Sequence, residues 1–224
     1  MVNSKGINEK LIYLWLYRRH NIPYLVSPQE EKWSKELNGL KSHEYKLSRT
    51  LIRKSLSKLF NVKPLDIPLF SKPGQPPKLA KDFGYISLSH CKDANLIGWY
   101  SKKIGIDIER KDRKISRNLE SYLFFLGNEE KNNLENNFNN YNEFILSSWT
   151  AKESAIKWER SSIFKSLKQW KIEENFEMIH KKNNEITLRL INIIFKEWII
   201  SAAISKNENK PKYSIFFDDK LLNY

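Results

Sequence analysis

Residues 84–110 read GYISLSHCKDANLIGWYSKKIGIDIER, and this stretch of the sequence decides the fold class. It contains three short runs that are rich in β-branched and aromatic residues, at 84–90, 95–101 and 104–110. The segments between the runs are short and polar, as turns are. Runs of this kind are typical of strands, so the stretch predicts three consecutive strands.

Helices and strands alternate on both sides of this stretch. A helical pattern extends from Glu30 to Phe60 and is clearest from Leu47 onward, where leucines recur at helix spacing; a second helix is predicted from about Asn142 to Glu159. Three strand-like segments, EITLRLI, EWIISAAIS and YSIFF, follow towards the end of the chain. The sequence therefore predicts an α+β fold with two similar α+β subdomains, residues 1–102 and residues 103–224.

The composition excludes several classes of protein. The 224 residues include 39 Lys and Arg against 26 Asp and Glu, which gives a formal net charge of +13. The single cysteine, Cys91, excludes an intramolecular disulfide, and the four histidines do not have zinc-ligand spacing. The apolar run from Leu11 to Tyr17 is too short to span a bilayer, so we expect a cytoplasmic protein with no membrane partner. The charge favours anionic partners but does not choose among nucleic acid, phosphorylated cofactors and acidic proteins.

Asp107 and Glu109 form the first candidate site. A strand period of two places them on one face, while Ile106 and Ile108 point to the other. Two carboxylates about 7 Å apart repel each other when both are ionised, and a hard cation such as Mg²⁺ removes that repulsion. The alternative is an exposed acidic face that pairs with nearby lysines and arginines.

The segment WTAKESAIK, residues 149–157, is the second candidate site. On a helix, Trp149, Glu153 and Lys157 lie one turn apart and share a stripe, next to a stripe that contains Lys152. A Glu followed four residues later by a Lys is also a common surface pair, and Trp149 is then a core residue. Both interpretations stay open on the pattern alone.

Two further pairs carry donors that suit phosphate. Ser89 and His90 end the run SLSH, and as strand neighbours they point to opposite faces and cannot act together as nucleophile and base. Each can still bind a phosphate oxygen or serve as a structural residue. Arg49 and Arg53 lie four residues apart on a helix, where two guanidinium groups on one face suit phosphate or simply form a solvated surface.

The strings SLSH at 87–90, GIDIER at 105–110 and WTAKESAIK at 149–157 together resemble the 4′-phosphopantetheinyl transferases, in particular the larger, monomeric type that activates surfactin synthetase. The resemblance extends over most of the chain, from about Ser27 to Leu167. It implies a monomer whose two subdomains form a pseudo-dimer with the active site between them.

The resemblance also implies an activity and its partners. Such enzymes transfer the 4′-phosphopantetheine arm of coenzyme A to a serine of an apo acyl or peptidyl carrier protein, with Mg²⁺ as cofactor, and release adenosine 3′,5′-bisphosphate. The carrier then belongs to fatty acid, polyketide or nonribosomal peptide synthesis. The positive charge of the chain suits both partners, because coenzyme A carries phosphates and carrier proteins present an acidic recognition helix.

The residues that match the family motifs take on implied roles. The metal ligands would be Asp107, Glu109 and Glu153, and the catalytic residues would be Glu153 as general base and Lys157 as the contact of the departing phosphate. The residues that bind coenzyme A would be Arg49, Arg53, Ser89, His90 and Lys157, with Ser89 and His90 at the nucleotide 3′-phosphate.

Some features leave alternatives open. Glu129, in the string FFLGNEEK, is a second candidate for the general base, and Glu130 stands beside it. Gln75 stands where the family has a lysine that contacts coenzyme A. Two other classes therefore stay open: an inactive relative that binds coenzyme A or a carrier protein, and a basic nucleic-acid-binding module, for which the sequence has no zinc-finger or RNP signature.

Overall fold

The structure is a computed structural model, and it describes residues 7–19, 22–115, 123–136, 141–161, 166–173, 175–181, 186–207 and 211–222. The α-helices that it describes are α1 (Pro28–Lys35), α2 (Gly39–Phe60), α3 (Asn128–Asn136) and α4 (Tyr141–Glu159). The strands are β1 (Leu11–Arg18), β2 (Leu69–Phe70), β3 (Lys78–Leu79), β4 (Tyr85–His90), β5 (Ala94–Tyr100), β6 (Ile104–Arg110), β7 (Trp170–Ile172), β8 (Met178–Lys181), β9 (Thr187–Phe195), β10 (Trp198–Ser205), β11 (Lys212–Phe217) and β12 (Lys220–Leu222). None of the helices in these ranges is long and apolar enough to cross a membrane.

The chain forms two compact units, and both combine helices with a sheet, which confirms the predicted α+β class. Among the described residues, the first unit contains those up to 88, those from 93 to 102 and those from 211 onward; the second contains 89–92 and those from 103 to 207. β11 belongs to the first unit because it pairs in parallel with β1. The end of the chain therefore lies with the first unit, whereas the sequence division placed it with the second subdomain.

The first unit consists of α1, α2 and a five-stranded sheet in the order β12-β11-β1-β5-β4. Ile52 and Leu56 on α2 are fully buried and pack in one core cluster with Trp15 on β1. The helical segment predicted from Glu30 to Phe60 is confirmed, although it is two helices with a break between Lys35 and Gly39.

The second unit contains α3, α4 and a five-stranded sheet in the order β6-β10-β9-β8-β7. β6 lies at one edge of this sheet and pairs antiparallel with β10, with Asp107 opposite Ser201. Ile106 and Ile108 are fully buried, as the predicted alternation along β6 requires. The predicted helix near residues 142–159 is confirmed as α4.

Gly105 lets β6 approach α4 closely. A Cβ atom on Gly105 would lie 2.0 Å from the carbonyl oxygen of Ser154 and 2.3 Å from the amide nitrogen of Trp158. Residues two apart on a strand share a face, so the side of β6 that meets α4 also carries Asp107 and Glu109. The missing side chain at Gly105 thus sets how near the acidic face of β6 comes to the helix.

We expect Gly105→Ala to destabilise the second unit strongly. Both clashing atoms belong to the backbone of α4, so the helix or the strand has to move, and overpacking of this kind costs roughly 1–3 kcal/mol or more. Chemical unfolding followed by tryptophan fluorescence measures the effect. Gly39→Ala is the matched control, because a Cβ at Gly39 meets nothing within 4 Å. Equal unfolding midpoints for the two variants would contradict the close packing of β6 on α4.

Candidate functional site

Three side chains meet in a ring of hydrogen bonds within the second unit. Asp107 Oδ1 accepts from Ser89 Oγ at 2.6 Å and from Lys157 Nζ at 2.6 Å. Lys157 Nζ also donates to Ser89 Oγ at 2.8 Å, which closes the ring. The side chains come from β6, from the end of β4 and from the last turn of α4. Asp107 and Ser89 are each 3% exposed, so this part of the ring is shielded from water.

Glu153 lies one helical turn before Lys157 and belongs to the same group. Its Oε2 is 3.6 Å from Lys157 Nζ, as the i, i+4 spacing on a helix allows. Trp149, a further turn earlier, is partly buried, contacts the ring of Phe125 edge to face at 5.1 Å and packs against a core cluster. The predicted stripe of three residues therefore combines one core residue with two polar residues at the site.

Asp107 Oδ2 is the unusual atom of the group. It is buried and has no hydrogen-bond partner among the described residues. Burying a carboxylate oxygen without a partner costs free energy, and such atoms in native proteins commonly indicate an ion or a catalytic role. Oδ2 is thus the oxygen that this site leaves available to a cation.

Glu109 is the third carboxylate, two residues further along β6. It forms an ion pair with Arg113, a partner that the sequence analysis did not assign to it. Burial raises the pKa of Glu109 to about 7; the charge of Asp107 adds to the rise, while Arg113 and Lys157 oppose it. Glu109 is therefore in electrostatic contact with the Asp107 group.

The pKa of Glu153 is raised in the same way as that of Glu109. Burial raises the pKa of Glu153 to about 7, and the charges of Asp107 and Glu109 raise it further, while Lys157 lowers it. Near neutral pH such a carboxyl group can both release and accept a proton, which is the property a general base requires. The negative charge of Asp107 thus helps to raise the pKa of both glutamates.

The residue types at this site fit Mg²⁺, which prefers oxygen ligands, and Asp107 Oδ2 is a buried oxygen that needs a partner. Within the described residues, however, no three His, Cys, Asp or Glu side chains are arranged to hold a metal ion. Cationic side chains lie against the carboxylates instead: Lys157 against Asp107 and Glu153, and Arg113 against Glu109. Metal binding by all three carboxylates would therefore exchange these ion pairs for the metal.

Ser89 and His90 point to opposite sides of β4, as predicted. Ser89 is buried in the hydrogen-bonded ring, whereas His90 is exposed. The structure thus separates two residues that the family resemblance assigns to one phosphate. The expected contact of His90 with coenzyme A stays a prediction.

Arg49 and Arg53 are buried on α2 in the first unit, so the alternative of a solvated helix surface is wrong for both. Arg53 donates to both carboxylate oxygens of Glu30 and to the carbonyl oxygen of Ile67, the latter at 2.8 Å. Arg49 Nη2 donates to the carbonyl oxygen of Ser71 at 3.3 Å, and its Nε is buried with no hydrogen-bond partner among the described residues. Arg53 therefore joins α1 to α2, while Arg49 keeps a donor that an anion can take.

The structure distinguishes the two neighbouring glutamates of α3. The Glu129 side chain is 72% exposed and forms an ion pair with Lys171. Glu130 is 3% exposed. The acid that the sequence analysis offered as a second general base is thus a surface residue.

Glu130 forms a buried ion pair with Lys152 that the sequence analysis missed. Lys152 Nζ donates to Glu130 Oε2 at 2.7 Å and to the carbonyl oxygen of Phe125 at 2.8 Å. The Glu130 carboxylate also accepts from the backbone amides of Gly127 and Ile172. The pair therefore fixes α4, through the residue next to Glu153, to the start of α3 and to β7.

Comparison with known proteins bears on this second unit. No curated protein matches the chain. Residues 103–212 match the family model ACPS, which describes the 4′-phosphopantetheinyl transferase superfamily. The matched range contains β6 and α4, and with them Asp107, Glu109, Glu153 and Lys157. The match covers just under half of the chain, and this part of the chain is similar to the 4′-phosphopantetheinyl transferase superfamily.

Proposed function

We propose that the protein transfers the 4′-phosphopantetheine arm of coenzyme A to a serine of an apo acyl or peptidyl carrier protein, as an enzyme of the larger, surfactin-synthetase-activating type. The superfamily match supports phosphopantetheine transfer in general. The observation that carries the proposal is the group in which Lys157 contacts both Asp107 and Glu153, and in which Asp107 Oδ2 is buried without a hydrogen-bond partner among the described residues. This group offers a base, a cation and an anionic metal site side by side, as transfer from a pyrophosphate requires.

The proposed ligands of Mg²⁺ are Asp107, Glu109 and Glu153. When bound, Mg²⁺ supplies positive charge to the pyrophosphate oxygens of coenzyme A. The support is chemical: all three side chains are carboxylates, Asp107 Oδ2 has no hydrogen-bond partner in the part of the chain that the structure describes, and burial raises the pKa of both glutamates. A nearby cation lowers such pKa values again, because it favours the ionised form.

The transfer is a substitution at phosphorus. The hydroxyl oxygen of the carrier serine forms a bond to the β-phosphorus of coenzyme A. The bond from that phosphorus to the bridging oxygen breaks, and adenosine 3′,5′-bisphosphate leaves with the electron pair. Glu153 accepts the serine proton, as an ionised carboxylate beside the attacking hydroxyl can. Lys157 holds positive charge beside the departing phosphate and stabilises its developing negative charge.

The remaining contacts of coenzyme A are proposed at side chains that are exposed or that have a hydrogen-bond donor without a partner among the described residues. Arg49 is a candidate because its buried Nε lacks a partner among the described residues, and His90 because it is exposed at the end of β4. Arg53 is not part of the proposal, since Glu30 takes up its guanidinium. The acidic helix of a carrier protein is attracted by the net charge of +13.

Intact-mass analysis tests the proposal. We expect an apo acyl carrier protein that is incubated with this protein, coenzyme A and Mg²⁺ to gain the mass of one phosphopantetheine arm. EDTA should abolish the gain of mass, because without the metal ion the anionic carboxylates repel the negatively charged pyrophosphate. A gain that persists in EDTA would contradict the proposed metal.

The other outcomes identify the competing functions. If several unrelated carriers gain no mass although the protein binds coenzyme A, the protein either has an unusual carrier specificity or is an inactive relative. If it binds no coenzyme A but binds RNA or DNA with a steep salt dependence and without Mg²⁺, it is a basic nucleic-acid-binding module.

A further inference from the structure

A row of three polar side chains crosses the sheet of the second unit. Asp107 on β6 is paired with Ser201 on β10, and Ser201 is paired with Asn192 on β9. Side chains of directly paired residues on antiparallel strands lie on one face of a sheet. Ser201 Oγ lies 2.9 Å from Thr150 Oγ1 on α4, so this is the face that packs against the helix. The row thus continues into a buried polar contact, because Thr150 and Ser201 are both 0% exposed.

The direction of each hydrogen bond in this row follows from Asn192, which is exposed on β9. Its Nδ2 donates to the carbonyl oxygen of Phe176 at 2.7 Å, so its Oδ1 faces Ser201 and accepts the Ser201 proton at 2.7 Å. A serine has a single O–H donor, so the bond between Ser201 and Thr150 needs the Thr150 proton. The carbonyl oxygen of Ser147, 3.0 Å from Thr150 Oγ1, shares that proton. Thr150, Ser201 and Asn192 thus form a polar bridge from α4 through β10 to β9.

The polar bridge contributes a directional contact beside apolar ones. Ala151 and Ala155 on α4 and Ala203 on β10 are fully buried in one core cluster. Burial of small apolar side chains holds the helix against the sheet, but this attraction is non-directional. A hydrogen bond weakens when its distance or its angle changes. The polar bridge therefore fixes where along the sheet this part of α4 lies.

Glu153 lies on the same part of α4. Thr150 and Glu153 are three residues apart, which is less than one turn of a helix. A shift or rotation of the helix at Thr150 thus moves Glu153 relative to Asp107, whose strand pairs with β10. A displacement of about 1 Å at a reacting group can cost roughly 100-fold in rate. The position of α4 on the sheet is therefore a property on which the proposed transfer depends.

We propose that Ser201 and Asn192 are positioning residues, which hold α4 through the Thr150 hydroxyl and thereby set Glu153 at the position that the transfer requires. This inference rests on the proposed transferase function. Neither residue belongs to the strings that carry the family resemblance, and neither is proposed to contact coenzyme A or the carrier serine. Loss of the polar bridge should therefore lower kcat and leave the KM for coenzyme A unchanged.

The test measures kcat and KM well below the melting temperature of each variant. Ser201→Ala should lower kcat about 10-fold, less than a full displacement of 1 Å costs, because the apolar contacts of α4 remain. Thr150→Val removes the hydroxyl at nearly constant shape and should lower kcat to a similar extent. Thr150→Ser keeps the hydroxyl and should restore most of the kcat. Asn192→Ala leaves Ser201 without its acceptor and should lower kcat as well.

Two further variants separate positioning from a general loss of structure. Ser148→Ala is the matched control, because Ser148 is a fully buried serine of α4 whose Oγ has no hydrogen-bond partner among the described residues. It should leave kcat unchanged. The double variant Thr150→Val/Ser201→Ala should have a kcat no lower than the lower of the two single variants, because both substitutions remove the same hydrogen bond.

The inference is overturned if Ser201→Ala lowers the melting temperature but keeps the kcat of the wild type, because its role is then merely structural. It is also overturned if the losses in kcat of Thr150→Val and Ser201→Ala multiply in the double variant. If the wild type modifies no carrier, the proposed function fails on that result alone. Hydrogen–deuterium exchange then decides whether the polar bridge holds α4: the amides around Glu153 should exchange faster in Ser201→Ala than in Ser148→Ala, and equal exchange would overturn the inference.

Discussion

Glu153→Gln is expected to lower the rate of phosphopantetheine transfer by about 10³-fold, as loss of a general base does, and to raise the stability of the protein near neutral pH. The two effects have one physical origin. The structure buries Glu153 beside Asp107 and Glu109, and this environment raises its pKa to about 7. A carboxylate whose ionised form is disfavoured by its surroundings accepts a proton readily. The same ionised form lowers the free energy of unfolding.

The sign of the stability effect follows from the two pKa values. The folded state raises the pKa of Glu153 from 4.5 to about 7. Below the lower value both the folded and the unfolded state carry the proton, and the free energy of unfolding is not reduced. As the pH rises through the window up to about 7, the unfolded state loses the proton first, so the free energy of unfolding decreases and stays lower above the window. The glutamine variant lacks this decrease.

Thermal unfolding at several pH values measures this difference. We expect the two proteins to melt alike below pH 4.5 and the variant to melt several degrees higher near pH 8, since a shift of this size corresponds to about 3 kcal/mol. Glu143→Gln on the same helix is the control, because Glu143 pairs with Lys111 at the surface and should affect neither property. Transfer by Glu153→Gln within tenfold of the wild type would show that another group is the base.

Local periodicity predicted the parts of the site that lie on single elements. The strand period of two separated Asp107 from Ile106 and Ile108, and the helical period placed Glu153 and Lys157 one turn apart. These relations depend only on the geometry of a strand or a helix, which holds whatever the rest of the chain does. The α+β class followed from the same periodicities.

Contacts between elements could not be predicted in this way. Ser89 and Asp107 are 18 residues apart, and only the packing of the second unit brings their side chains within 2.6 Å. Arg53 suited phosphate by its type and spacing, but a buried Glu30, 23 residues earlier, takes its guanidinium. In both cases the hydrogen-bond partner lies on another element, and one sequence alone contains no periodic signal for such a pair.

Lys152→Met is expected to destabilise the protein by roughly 3–5 kcal/mol, because it leaves Glu130 as a buried charge without its cation. Lys152 is fully buried and Glu130 is 3% exposed, so water cannot replace the lost partner. The melting temperature should fall by about 10 °C or more. Lys171→Met is the matched control, since it breaks the exposed pair with Glu129 and should cost less than about 1 kcal/mol.

Substitution of the other partner, Glu130→Gln, should lower the free energy of unfolding less at high pH than at low pH. Burial lowers the pKa of Lys152, and the Glu130 carboxylate opposes this effect. Without the carboxylate, the folded state disfavours the ammonium form more strongly, so the loss of stability is greatest at low pH, where both states carry the proton, and shrinks as the pH rises through the lowered pKa of Lys152. The double variant Lys152→Met/Glu130→Gln should be more stable than Lys152→Met, because it buries no unpaired charge. If the double variant is as unstable as the sum of the single variants, the two residues do not act as a pair, and α4 is held to α3 and β7 by other contacts.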